Sequence, residues 1–204
     1  MDLIKRLLAR LTLAIARYRV ANEPPPDVPV CVLVAAPHTS NWDFFLMLAM
    51  AWQSGLSPRW MGKKEMFSGP MRPLFRALGG IPVDRENPGS LVADVSAHAG
   101  TAASLALVVP AEGTRAKGDY WKSGFYRIAR DANIPIVLSY LDGPTRSGGF
   151  GPVMDATGDV KADMDLIRAF YADKGGVKPK NKTEPRLRDE ASSTMAGDAA
   201  EAVS

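Results

Sequence analysis

Two side chains able to move a proton stand close together in Pro37-His38-Thr39-Ser40-Asn41-Trp42-Asp43, just past an apolar run. His38 is one of only two histidines in the chain, and imidazole is the side chain whose charge changes most readily near neutral pH. A carboxylate that accepts the Nδ1 proton leaves Nε2 facing outward as a base, an arrangement that activates a hydroxyl group. On a continuous helix, side chains five apart diverge by about 140° around the axis. His38 and Asp43 therefore meet only if His38 is still on a loop and Asp43 lies in the first helical turn. Ser40 or Asn41 then stands where it can cap that helix. The same spacing also fits a plain helix cap beside an incidental histidine.

Three further segments bear on which reading holds. Gly79-Gly80-Ile81-Pro82-Val83-Asp84-Arg85 sets an arginine just after a short strand, and Glu112-Gly113-Thr114-Arg115 follows the apolar run 105–110. The guanidinium fork matches phosphate oxygens bidentately, and glycine lets the backbone approach an anion. Trp121-Lys122-Ser123-Gly124 adds another cation downstream. One arginine in a loop is ordinarily a solvated charge, whereas two at strand ends after glycine turns suit a phosphate pocket. The second histidine, His98, has Asp94 four residues before it, the spacing of a surface pair on one helix face. Two histidines and one cysteine far apart offer no metal-ligand spacing.

The elements that must position these residues alternate along the chain. Strand-like runs fall at 28–36, 57–61, 80–84, 105–110, 134–141 and 150–154, and helical patterns at 42–53, 64–78, 89–100, 122–132 and 162–173. Leu105-Ala106-Leu107-Val108-Val109 and Ile134-Pro135-Ile136-Val137-Leu138 lack polar alternation, as strands buried on both faces do. Such alternation predicts an α/β fold, a single layered domain with a largely parallel central sheet flanked by helices. His38 and Arg115 then fall beyond strand C-terminal ends, where open α/β sheets place their ligands. Gly148-Gly149 and Gly151 read as a turn between short strands.

Composition is that of an ordinary globular chain, 46% hydrophobic and 23% charged over 204 residues with net charge +3. The single cysteine, Cys31, lies in an apolar run with nothing basic beside it, which suits a buried structural thiol in a reducing compartment. Before the main domain at 27–174, residues 1–26 form an amphipathic membrane-associating helix and a linker at Pro24-Pro25-Pro26. Leu3, Ile4, Leu7, Leu8, Leu11, Ala14 and Ile15 share one arc of that helix, with Arg6, Arg10 and Arg17 along a flank. The same pattern serves a helix packed on its own domain. The charges interrupt any signal-peptide core, and the segment is too short and too charged to span a bilayer. Between Arg59 and Arg76, cations interleave with Trp60, Met61, Met66, Phe67 and Phe75, suiting either a lipid-headgroup surface or a helix with one core face. No nucleic-acid fold signature accompanies it. Residues 175–204, rich in small and charged side chains, read as a flexible tail.

These residues resemble the glycerolipid acyltransferases, the group containing 1-acyl-sn-glycerol-3-phosphate acyltransferase. His38 and Asp43 fit the family's HxxxxD motif. Gly80-Ile81-Pro82-Val83-Asp84-Arg85 is similar to its second block, Glu112-Gly113-Thr114-Arg115 to its third, and Asn133-Ile134-Pro135-Ile136-Val137 to its fourth. Gly62-Lys63-Lys64-Glu65-Met66-Phe67 resembles a segment between the first two. Four blocks in order, over residues 30 to 140, make a specific pattern. One departure is Ala111, which stands between Pro110 and Glu112 where the family has Pro directly before Glu.

The resemblance implies that 27–174 is an acyltransferase domain. His38, oriented by Asp43, removes a proton from a glycerol hydroxyl, and the oxygen attacks an acyl thioester on coenzyme A or acyl carrier protein. No acyl-enzyme is implied, and the chain has no Gly-x-Ser-x-Gly elbow. The implied substrate-binding set is Arg85, Glu112, Gly113, Thr114, Arg115 and Lys122. The arginines hold the acceptor's phosphate, Glu112 orients Arg115 or binds a glycerol hydroxyl, and Gly113 and Thr114 shape the loop. No cofactor or metal is implied beyond acyl-CoA or acyl-ACP as donor substrate. The implied setting is the cytoplasmic face of the cell membrane, held peripherally. There the enzyme acylates a lysophospholipid, foremost 1-acyl-sn-glycerol-3-phosphate, in phospholipid biosynthesis. Rival readings are acylation of an aminolipid, a lipid or thioester hydrolase using the same pair on water, and a non-catalytic lipid-binding module.

Overall fold

The run Val30–Ala36 forms the strand around which the rest is organised, because its side chains alternate between two separate cores. Val32, Val34 and Ala36 are buried on one face of the sheet, and Cys31 and Leu33 on the other. A computed structural model describes residues 3–22, 28–83 and 105–190. Its elements are α1 (Leu3–Ala16), β1 (Arg19–Val20), β2 (Val30–Ala36), α2 (Trp42–Gln53), β3 (Pro58–Lys63), α3 (Arg72–Ala77), β4 (Gly80–Val83) and β5 (Leu105–Val109). α4 (Gly124–Ala132), β6 (Ile136–Asp142), β7 (Ser147–Met154) and α5 (Val160–Tyr171) follow. The expected helix at 89–100, with His98, lies outside the described residues.

The described strands make a single sheet in the order β1-β7-β6-β2-β5-β3-β4. All neighbours are parallel except β6 and β7. The α/β layered fold is as expected. One face is covered by α4 and α5, through Phe125, Ile128, Met164 and Ile167. The other is covered by α2 and the segment around α3, through Leu48, Phe67 and Phe75. Coverage of both faces explains the unbroken apolar runs in β5 and β6. Cys31 is buried, which pushes its thiol up to about 11, in keeping with a structural role.

The local details differ from the expectations in three places. The helix expected over 64–78 is broken into a 3₁₀ turn, Lys64–Phe67, and α3, because Gly69-Pro70 interrupts it. The glycines 148, 149 and 151 lie inside β7 rather than in a turn. At Gly148 a Cβ would stand 2.5 Å from Met50 Sδ, so glycine there serves close packing. The true β6–β7 turn spans 143–146, and its start is fixed by Asp142 Oδ2 accepting the Thr145 N–H at 3.0 Å. α1 packs on α2 through Ala9 and Leu13, against Leu46, Ala49 and Met50. Its wide apolar arc points away, leaving Leu3 73%, Ile4 69% and Ile15 75% exposed.

The third difference is at the C-terminus. Residues 175–190, expected to belong to a flexible tail, fold back over the end of the sheet. Leu187 is 1% exposed within the α4–α5 core, and Thr183 is equally buried. Most of the bonds that hold this segment are made by its backbone, which composition does not reveal. Residues 191–204 lie outside the described residues.

Candidate active site

Parallel strands bring their C-terminal ends to one edge, so the loops after β2 and its neighbour β5 lie side by side. The first carries His38 and the second carries Glu112 through Arg115. Between Ala36 and Trp42 the chain turns sharply, through a cis Ala36–Pro37 peptide, and enters α2. Asp43 lies in the first turn of that helix, and its carboxylate reaches backward. Oδ2 accepts the N–H of Thr39 at 2.6 Å and of Ser40 at 2.8 Å, and stands 3.1 Å from His38 Nδ1. The separation on a continuous helix is thus avoided, as the angular argument requires. Asn41 makes no side-chain cap, while Ser40 Oγ accepts the Trp42 N–H at 3.2 Å. Asp43 instead ties down the loop that precedes the helix. An aspartate fixed by two backbone donors holds the imbalance of the imidazole's two nitrogens: Nδ1 toward the carboxylate, Nε2 away from it.

Glu112 is 2% exposed. One oxygen accepts the backbone N–H of His38, and the other accepts the N–H of Thr183 at 3.0 Å. Burial raises its carboxyl above the usual glutamate range, while those two N–H groups pull it down. Both Glu112 oxygens thus face backbone N–H groups of the protein rather than solvent. The extra Ala111 is accommodated in a turn closed by Gly113 N–H donating to Pro110 O at 3.1 Å, with Ala111 fully buried. Gly113 has φ +68, and a Cβ there would stand 2.8 Å from Lys122 Cγ. The left-handed backbone there favours glycine, and the Lys122 side chain lies against this loop. Thr114 and Arg115 are exposed, with Thr114 Oγ1 accepting the Ala116 N–H at 3.3 Å. Arg85 lies outside the described residues.

A cavity of about 550 Å³ opens beside the pair. His38, Asp43 and Arg115 border it, and its depth is apolar, walled by Phe44, Met47, Trp60, Phe75 and Leu78. Across the sheet its lining runs from Phe150 in β7 to Trp60 in β3. Four strand spacings of about 4.8 Å make that roughly 19 Å. The chemistry available is a base, an adjacent cation and an apolar channel long enough for an alkyl chain. Among the described residues no three His, Cys, Asp or Glu side chains converge as a metal set. Sequence reasoning missed Thr39, Asn181 and Thr183, which are bonded to the His38 loop or to Glu112. Nothing in their local pattern signals it, since their partners are 71 to 142 residues away.

Residues 20–140, more than half of the chain, match the family model described as Acyltransferase. The structure is similar to the crystal structure of the 1-acyl-sn-glycerophosphate (LPA) acyltransferase PlsC from Thermotoga maritima. The TM-score is 0.54 and the identity 16%, over 76% of this chain and 69% of that one, a likeness of fold. No curated protein matches the chain.

Proposed function

Because the chain belongs to the acyltransferase family, we propose that it transfers a fatty acyl group from acyl-CoA or acyl-ACP to a lysophospholipid hydroxyl, most of all that of 1-acyl-sn-glycerol-3-phosphate. The observation that carries this reading is the His38–Asp43 pair on the rim of a long apolar cavity. Nε2 of His38 takes the proton of the acceptor hydroxyl as its oxygen attacks the thioester carbonyl. The tetrahedral adduct then collapses, the carbon–sulfur bond breaks, and the thiolate recovers the proton from the imidazolium. Asp43 keeps the ring in orientation and stabilises its cationic form. The alkyl chain lies in the cavity, where burial of each methylene contributes about 0.8 kcal/mol.

Arg115 borders the cavity beside His38, with Lys122 against the same loop, and these cations hold the acceptor's phosphate. Arg115→Ala is expected to raise KM for a phosphate-bearing acceptor about fivefold, the equivalent of ~1 kcal/mol for an exposed charge pair. Its kcat should stay near that of the wild type. An unchanged KM would remove Arg115 from the phosphate site.

The proposed setting is the cytoplasmic face of the cell membrane, with α1 lying in the interface. Among the described residues no helix is long and apolar enough to cross a bilayer. The exposed arc of α1 and its flanking Arg6 and Arg10 support an interfacial position, apolar side chains inward and cations at anionic headgroups. Simple deletion of α1 would uncover Leu46 and Met50, so the informative change is Leu7→Asp with Leu11→Asp on the exposed arc. That pair should release the protein from anionic vesicles while its melting temperature holds; undiminished binding would refute the interfacial helix. The activity itself is tested with purified protein, labelled acyl-CoA or acyl-ACP, and a panel of lyso-lipids. Label should appear in the diacyl product of a phosphate-bearing acceptor. Thioester cleavage that is equally fast without any acceptor would mean a hydrolase instead.

A further inference from the structure

The match to the family ends at residue 140, yet the chain returns afterwards to the His38 end of the sheet. Gly143 N–H donates to Gly176 O at 2.8 Å, and Gly175 N–H to Asp142 Oδ1 at 2.7 Å, which brings the segment beside the end of β6. Gly176, at φ +71, then passes so close to the His38 loop that a Cβ would lie 2.8 Å from Thr39 Cγ2. Lys178 N–H donates to Thr39 Oγ1 at 2.9 Å, and Asn181 Nδ2 donates to Thr39 O at 3.1 Å. Two residues on, the Thr183 N–H reaches Glu112, whose other oxygen holds the His38 N–H. Thr183 is itself gripped by Trp121 Nε1, donating to its carbonyl at 3.1 Å, and by Gly118 N–H, donating to Oγ1 at 2.9 Å. Leu187 in the core and the 2.7 Å bond from Arg168 Nη1 to Glu190 Oε2 anchor the far end.

We propose that residues 175–190 are a positioning brace for the base, attached through Lys178 and Asn181 to the loop after β2 and through Thr183 to the loop after β5. The proposal rests on the reading of His38 as the base. On one side Pro37, His38 and Asn41 of this loop border the cavity, which the described residues leave open. Its placement therefore depends on the opposite side. There Thr39, 1% exposed, has its carbonyl and hydroxyl tied to the brace and its N–H tied to Asp43. His38 is thus held at its own N–H through Glu112 and at the next carbonyl through Asn181. A reacting group misplaced by about 1 Å can cost on the order of 10²-fold in rate, which sets what such a brace is worth.

Asn181→Asp preserves shape but turns the donor at Thr39 O into an acceptor. It is expected to lower kcat by about tenfold or more, within the range set by such misplacement, with KM for both substrates and the melting temperature little changed. Asn181→Gln, which restores a donor amide, should recover part of the loss. An independent readout comes from imidazole NMR signals, assignable because the chain has two histidines and His38→Ala identifies one. Asn181→Asp should shift the His38 signals. Unchanged His38 signals overturn the brace, whether or not kcat falls. A wild-type protein without acyl transfer would sink the reading of His38 as the base, and the NMR comparison would still decide the brace. Should Asn181→Asp fail to fold, Asn181→Ala deletes the donor without adding charge and is read by both measurements.

Discussion

Replacing His38 with glutamine is expected to reduce acyl transfer by about 10²–10⁴-fold, the usual contribution of a positioned general base, with little change in melting temperature. The two effects separate because of how the residue is held. Its backbone N–H, not its ring, bonds to Glu112, and that bond survives the substitution. The side chain is 21% exposed and faces Asp43 on one side only, so a glutamine of similar reach replaces it without opening a void. Glutamine cannot take and return a proton near neutral pH, so the loss should fall on kcat rather than on KM for the thioester. Acyl transfer near the wild-type rate in this variant would rule out His38 as the base.

Glu112→Ala should be the most destabilising of the site substitutions, because it strands two N–H groups, those of His38 and Thr183, away from solvent. Each unpaired buried donor costs about 1–3 kcal/mol, so a loss near 3 kcal/mol is expected in denaturant unfolding. A change below ~0.5 kcal/mol would contradict the positioning role, since that is what surface substitutions away from such features do. A pH signature accompanies it. Burial holds the Glu112 carboxyl above the ordinary glutamate range. The folded protein therefore keeps this proton over an interval in which the unfolded chain has already released it. Stability contributed below that interval is lost as pH rises through the folded-state value. Glu112→Gln has no such proton, so its stability should lack that slope, and an unaltered slope would assign it to other groups. The activity of Glu112→Ala should also fall, since the His38 N–H loses its partner.

Much of this site can be read from residue types and spacing. The interval from His38 to Asp43 demands a loop followed by a first helical turn, and that is what forms, because the geometry of the α-helix forbids the alternative. The apolar runs of β5 and β6 lack alternation because both sheet faces are covered, a property composition alone carries. Local reasoning failed where two distant segments decide the outcome. Gly148 looks like a turn residue until Met50 is packed against it. The burial of Glu112 is not legible locally, since one of its two partners is Thr183, 71 positions away.

α1 illustrates the division most simply. Its amphipathic pattern determined that a helix would form and that one arc would seek an apolar surface. Which surface was open, because the arc fits a domain or a bilayer equally well. The tertiary structure chose a narrow strip, Ala9 and Leu13, for packing and left the wide arc outside. The sequence by itself determined the α/β layering, the order of the blocks and the capacity of His38 and Asp43 to pair, since these follow from periodicity and short-range geometry. Only the tertiary structure decided that residues 175–190 fold against the loops after β2 and β5 and that Glu112 bonds the N–H groups of His38 and Thr183. Those outcomes rest on backbone hydrogen bonds between segments far apart in the chain, and a backbone N–H looks the same in every residue that has one.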